Sequence, residues 1–171
     1  MKLILIFMLS LMLGFVSWSP CAASPDKADH LFFIERSINK NLVQYDIRLT
    51  EDGDLVDSRP VYVYWILENG RREELNSIEQ KYAFGIVRQE KLEGNKFNVI
   101  LAAFKGLQIT VERVNDSFKA LVTINGKQTI LEKLYIKSEN SSNGLPKVLY
   151  IEVFGWTEKT GHSIKERSAL R

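Results

Sequence analysis

Glu35, Asp46 and Glu152 are carboxylates inside strand-like patterns, where an unpaired acid is costly. Glu35 and Glu152 stand among apolar neighbours, so burial would demand a cation, for which Arg36, Arg48 and Arg113 are the candidates. Two such acids facing one cleft can instead hydrolyse a glycosidic bond, given the right separation. A structural ion pair is the simpler expectation.

Other reactive groups are scarce. The chain has two histidines, His30 and His162, near its opposite ends. Zinc would need both of them together with a carboxylate, whereas a strand-edge His and a loop His need nothing further. The same scarcity argues against a Ser-His-Asp triad, and there is no Gly-x-Ser-x-Gly elbow. Asp52-Gly53-Asp54, with Asp57, offers closely spaced oxygen ligands for calcium. It lacks the full calcium-loop spacing and the closing bidentate Glu, so an acidic turn is the expectation. No metal and no cofactor are expected.

The aromatic residues are more suggestive. Tyr62, Tyr64, Trp65, Tyr150, Phe154 and Trp156 lie on strands that are apolar on both faces, more than packing of one sheet face requires. Lining a barrel mouth or a concave sheet, they would suit a sugar ring or an apolar ligand; a thick shared core is the competing reading. Glu35, Arg36 and Ser37 lead into a turn with Asn39 and Asn41. There Glu35 and Arg36 are expected to pair, and the asparagines to fix backbone geometry. The candidate ligand-binding set is therefore Glu35, Arg36, Ser37, Asn39, Asn41, Tyr62, Tyr64, Trp65, Tyr150, Glu152 and Trp156, with no catalytic set.

The elements that must position these residues follow a period of two. Leu31 to Glu35 is too apolar for a half-exposed strand and reads as central. Val43, Tyr45, Ile47 and Leu49 alternate with polar residues, as in a half-buried antiparallel strand. Pro60 opens a third strand through Leu67. Arg71 to Phe84 carries the only helical pattern, with Leu75, Ile78 and Tyr82 on one face and Gly85 placed as a C-cap. Strands resume at Gly85 to Gln89, Lys96 to Phe104, Leu107 to Arg113 and Phe118 to Ile124. In the last of these Phe118, Ala120, Val122 and Ile124 point inward. Asn125-Gly126 is the strongest hairpin signal, leading into a strand from Gln128 to about Lys137. Ser138 to Gly144 reads as a loop, Val148 to Trp156 as a strand, and Ile164 starts a short last one. The fold class is all-β: an antiparallel sandwich or barrel of about nine strands with one short amphipathic helix.

The N-terminus carries a different signal. Lys2 precedes the apolar run Leu3 to Val16, too short to span a bilayer, and Cys21-Ala22-Ala23 supplies small residues for cleavage after Ala23. Residues 1–23 are thus expected to be a cleaved secretory signal, residues 24–29 a short flexible N-terminus and residues 30–171 a single β-rich domain. A lipid anchor on Cys21 is the weaker alternative, because Pro20 precedes it and no Leu stands three residues before it. Cleavage removes the only cysteine, and with it any disulfide or thiol nucleophile. Loss of Lys2 leaves 22 basic against 21 acidic residues, no electrostatic case for nucleic acid or anionic lipid. The mature chain is expected to be a monomer in the periplasm or outside the cell, with no transmembrane span.

Phe33-Ile-Glu-Arg-Ser37, Asn39-Lys-Asn41, Val43-x-Tyr-Asp46, Pro60-Val-Tyr-Val-Tyr-Trp-Ile66, Tyr82-Ala-Phe-Gly85, Ile124-Asn-Gly126, Leu134-Tyr-Ile136 and Tyr150-Ile-Glu-Val-Phe-Gly155 together resemble an exported bacterial family, domain of unknown function 4833. The resemblance spans about residues 30 to 165 and implies a single exported domain, without naming a ligand or a catalytic residue. The expected function is non-catalytic binding of a small ligand or a cell-envelope partner. A carboxylate-dependent hydrolase of envelope carbohydrate and a purely structural envelope protein are the alternatives.

Overall fold

The computed structural model describes residues 28–56, 58–140, 146–157 and 161–168. The expected signal segment, residues 24–27, Asp57 and most of the loop before Pro146 lie outside them, whereas Ala28 and Asp29, expected in the flexible N-terminus, belong to the first strand. Eleven strands and one helix follow in order: β1 (Ala28–Arg36), β2 (Leu42–Arg48), β3 (Val61–Ile66), β4 (Arg72–Glu74), α1 (Ser77–Tyr82), β5 (Ile86–Leu92), β6 (Lys96–Leu101), β7 (Ile109–Val114), β8 (Ser117–Ile124), β9 (Lys127–Glu139), β10 (Lys147–Trp156) and β11 (Ser163–Ser168).

The fold is all-β and mostly antiparallel, a nine-strand curled half-barrel in the order β4-β3-β2-β1-β9-β8-β7-β6-β5, with β10 and β11 attached beside β9. Among the described residues its one parallel pair is β1 with β9, Phe33 to Arg36 against Lys133 to Ile136. The 13-residue β9 organises the rest. A strand has two hydrogen-bonding edges, and β10 occupies one of them from Ile130 to Glu139. Along the other edge Lys127 to Ile130 pair with β8, and Lys133 to Ile136 pair with β1. The sheet thus divides into two arms at residues 131–132. There Glu132 is left over between the partners of Phe154 and Gly155, a bulge that bends the strand.

The arms curl over a core in which Phe32, Ile34, Tyr45, Phe118, Ile124 and Leu134 are almost wholly buried. Phe32 and Tyr45 stack at 4.4 Å between centroids, and the Tyr45 hydroxyl donates to the Phe84 carbonyl at 2.5 Å. Burial pushes the Tyr45 phenol well above its ordinary value. The hairpins are made where the turn residues demand it: Asn125 and Gly126 take φ of 50° and 74°, as a type I′ turn requires.

The helix differs from expectation. Arg72 to Glu74 pair with β3 after the Asn69-Gly70 turn, and α1 starts only after Asn76. Asn76 and Glu79 form a capping box, so Leu75 precedes the helix; it is buried, while Ile78 and Tyr82 are 70% and 65% exposed. Gly85 has no positive φ either. It serves close approach, since a Cβ there would stand 1.9 Å from the Gln80 carbonyl oxygen.

Candidate ligand-binding site

The three strand carboxylates share one face, turned away from the core, but each is already engaged. Asp46 is 5% exposed. It accepts from His30 Nδ1 at 3.0 Å, from Gln44 Nε2 at 3.0 Å and from the Tyr64 hydroxyl. Burial alone raises the Asp46 pKa, yet the bonds from His30, Tyr64 and Gln44 outweigh it and hold the carboxyl below its usual range. Burial and the bond to Asp46 push the Tyr64 phenol up.

Glu35 is bonded by Lys133 Nζ at 2.7 Å. Glu152 receives Lys165 at 3.1 Å and Arg167 at 2.8 and 3.1 Å through one oxygen. Bonds from Arg167, then from Lys165, hold the Glu152 carboxyl below its ordinary value. The expected pairing of Glu35 with Arg36 does not occur, because neighbours in a strand point to opposite faces. Arg36 instead turns inward, its guanidinium 4.4 Å from the Trp65 ring centroid and 5.6 Å from that of Phe84. Its Nη2 donates to Asn39 at 3.1 Å, and its buried Nε has no partner among the described residues. Desolvation lowers the Arg36 pKa, partly offset by Glu79.

Turn residues and most aromatics also have structural partners. Ser37 Oγ donates to the Ser138 carbonyl and accepts from the Ser138 N–H, both at 3.0 Å. Asn39 Oδ1 accepts from the Asn41 N–H at 3.2 Å, and Asn41 Oδ1 from Glu68 N–H at 3.0 Å. Trp65 lies in the core with its indole N–H on Glu79 at 3.1 Å. Tyr62 and Tyr64 stack at 5.6 Å beneath Arg72, and Arg167 lies 4.0 Å over Tyr150.

Trp156 is different. It lines a cleft of about 820 Å³, in company with Leu121, Ile130, Ile164 and Val114. Register explains the grouping: Leu121 on β8 pairs with Ile130 on β9, and Ile130 with Trp156 on β10. The three stand in one cross-strand row, about 10 Å from end to end at the usual strand spacing. Gln128, Glu112, Thr157 and His162 supply polar groups around this apolar floor. That combination suits a ring with one apolar face and polar edges, and the cleft has the size of ligand pockets in general. Sequence reasoning missed Leu121 and Ile130. Neither cleft described for this fold is lined by Glu35, Asp46 or Glu152.

Residues 32–167 match the family model of domain of unknown function DUF4833. No curated protein and no solved structure matches the chain.

Proposed function

The chain belongs to the DUF4833 family, and we propose that it is a non-catalytic binding domain holding a small ring-bearing ligand, such as a sugar, over Leu121, Ile130 and Trp156. The observation that carries the reading is the in-register apolar row beneath a cleft of about 820 Å³ with a polar rim. Engagement of Glu35, Asp46 and Glu152 in ion pairs and hydrogen bonds outside the cleft favours binding over carboxylate hydrolysis. No helix among the described residues is long and apolar enough to cross a membrane. Export with cleavage after Ala23, and action as a monomer in or beyond the periplasm, belong to the same proposal. Sequencing the N-terminus of protein recovered from cell fractions tests the export.

Titration with a panel of mono- and oligosaccharides, followed by NMR, tests the binding. The expected result is saturable, joint perturbation of Leu121, Ile130 and Trp156, lost in Trp156→Ala. A panel without saturable shifts, or shifts centred on another face, would refute the reading.

A further inference from the structure

A second site lies where the half-barrel fails to close, and it shares no lining residue with the Trp156 cleft. β3 and β5 approach each other here, and a side chain of β5 reaches across to β3. Gln89 Oε1 accepts from the Val61 N–H at 2.9 Å, and its Nε2 donates to the Val61 carbonyl at 2.7 Å. A primary amide offers the same donor and acceptor as a peptide group, so the backbone of Val61 is already satisfied. A ligand in this gap must be held by side chains.

The charged side chains have one sign. The gap encloses about 890 Å³ and is lined by Arg48, Arg59, Lys81 and Arg88, with no carboxylate among its described lining residues. Separate segments deliver them: Arg48 ends β2, Arg59 precedes β3, Lys81 lies on α1 and Arg88 on β5. The whole chain has a net charge of only +2. Elsewhere its cations meet acids, as Arg71 meets Glu73, Arg72 meets Glu74, Lys96 meets Glu112 and Lys133 meets Glu35. At the gap, among the described residues, Arg88 alone has a carboxylate partner, the exposed Glu90 at 3.6 Å. Arg48 lies 4.7 Å over Tyr62, and Lys81 5.0 Å over Tyr82. An aromatic ring engages the face of a guanidinium and leaves its N–H edge for an oxyanion. Arg59 has a φ of 54°, a left-handed backbone that strains a residue carrying a side chain and clusters at ligand clamps.

We propose that this gap binds a small molecule carrying two or more linked phosphate groups. Cations gathered at one cavity repel one another until an anion enters, and the cavity has the volume of a small-molecule site. A phosphate presents three acceptor oxygens in different directions, whereas a carboxylate presents two in one plane. Cations that arrive from both walls, Arg48 and Arg59 beside β3 and Lys81 and Arg88 from α1 and β5, match the phosphate. Linked phosphates can meet both walls at once; a single one cannot.

The test titrates the full chain with tripolyphosphate, inorganic phosphate and citrate, with calorimetric affinity and side-chain NMR shifts as readouts. Tripolyphosphate is expected to bind, to weaken with added salt, and to shift the side chains of Arg48, Arg59, Lys81 and Arg88. Phosphate and citrate should each bind at least about tenfold more weakly. Arg59→Gly, which tolerates the positive φ, combined with Arg88→Gln, should weaken tripolyphosphate by about tenfold or more while leaving the circular dichroism unchanged. Arg71→Gln with Lys147→Gln removes the same charge from exposed side chains that do not line the gap, and should leave the affinity within about twofold. Phosphatidylcholine–cardiolipin vesicles, set against phosphatidylcholine alone, distinguish a lipid headgroup from a soluble ester as the source of the phosphates. Binding that Arg59→Gly with Arg88→Gln weakens supports the proposal from either source. No tripolyphosphate binding, equal binding of phosphate or citrate, or equal weakening by the two double variants would each overturn it.

Discussion

Gly155 lies so close to Ile130 that a Cβ on the glycine would stand 2.5 Å from the Ile130 carbonyl oxygen. It would also stand 2.6 Å from Thr129 Cγ2, at the bulge where β9 passes from β8 to β1. Neither the backbone oxygen nor the branched side chain can give way cheaply. Gly155→Ala is expected to lose about 1–3 kcal/mol of stability by overpacking. Gly106→Ala, with nothing within 4 Å and no positive φ, should change it by less than about 0.5 kcal/mol. Urea unfolding of the two variants checks this, and equal losses would show that the bulge is not specially constrained.

The strands were legible because their own residues carry the period, as Phe118, Ala120, Val122 and Ile124 do; all four are buried. The parallel pairing of Ile34 with Leu134 was not, since nothing local encodes a partner so distant in the chain. The division of β9 between two arms stayed hidden for the same reason. At the candidate site Trp156 was visible as a surplus aromatic. Leu121 was the missed signal: an apolar residue at the outward position of an otherwise alternating strand. Arg48, Arg59, Lys81 and Arg88 are scattered in sequence, and only the topology brings them to one gap.

Glu79 Oε2 accepts from two donors, the Asn76 N–H at 3.0 Å and the Trp65 indole N–H at 3.1 Å. The first closes the capping box, and the second ties α1 to the core. Asn76→Ala should cost about 1 kcal/mol through the cap. Glu79→Ala should cost about 0.5–1.5 kcal/mol more by also stranding the indole. It should change the near-ultraviolet signal of Trp65, which Asn76→Ala should leave alone. Identical spectra for the two variants would rule out the tie.

The Tyr45 hydroxyl serves the Phe84 carbonyl, just past α1. Tyr45→Phe keeps the stack on Phe32 and removes only this donor. The expected loss is about 1–3 kcal/mol, the cost of a buried acceptor left unpaired. Thermal unfolding measures it. Faster amide exchange at Gly85 and Ile86 is expected alongside, and a loss of stability without it would place the effect elsewhere in the core.

Asp46 should make stability depend on acid. Its folded pKa lies below the unfolded value of 3.8. The ionised carboxylate therefore stabilises the fold above that value, and its contribution disappears as pH falls through the folded pKa. Asp46→Asn keeps the shape but loses the charge on the bonds from His30, Tyr64 and Gln44. At pH 7 the variant should be less stable by about 1.5–3 kcal/mol, the range for bonds to a charged group. As pH drops below 3.8 the gap should narrow, because the wild-type carboxyl becomes neutral as well. Urea unfolding of both proteins from pH 7 downwards tests the sign. A constant gap would mean that Asp46 acts through shape and not through its charge, and a widening gap would mean that the folded pKa is raised.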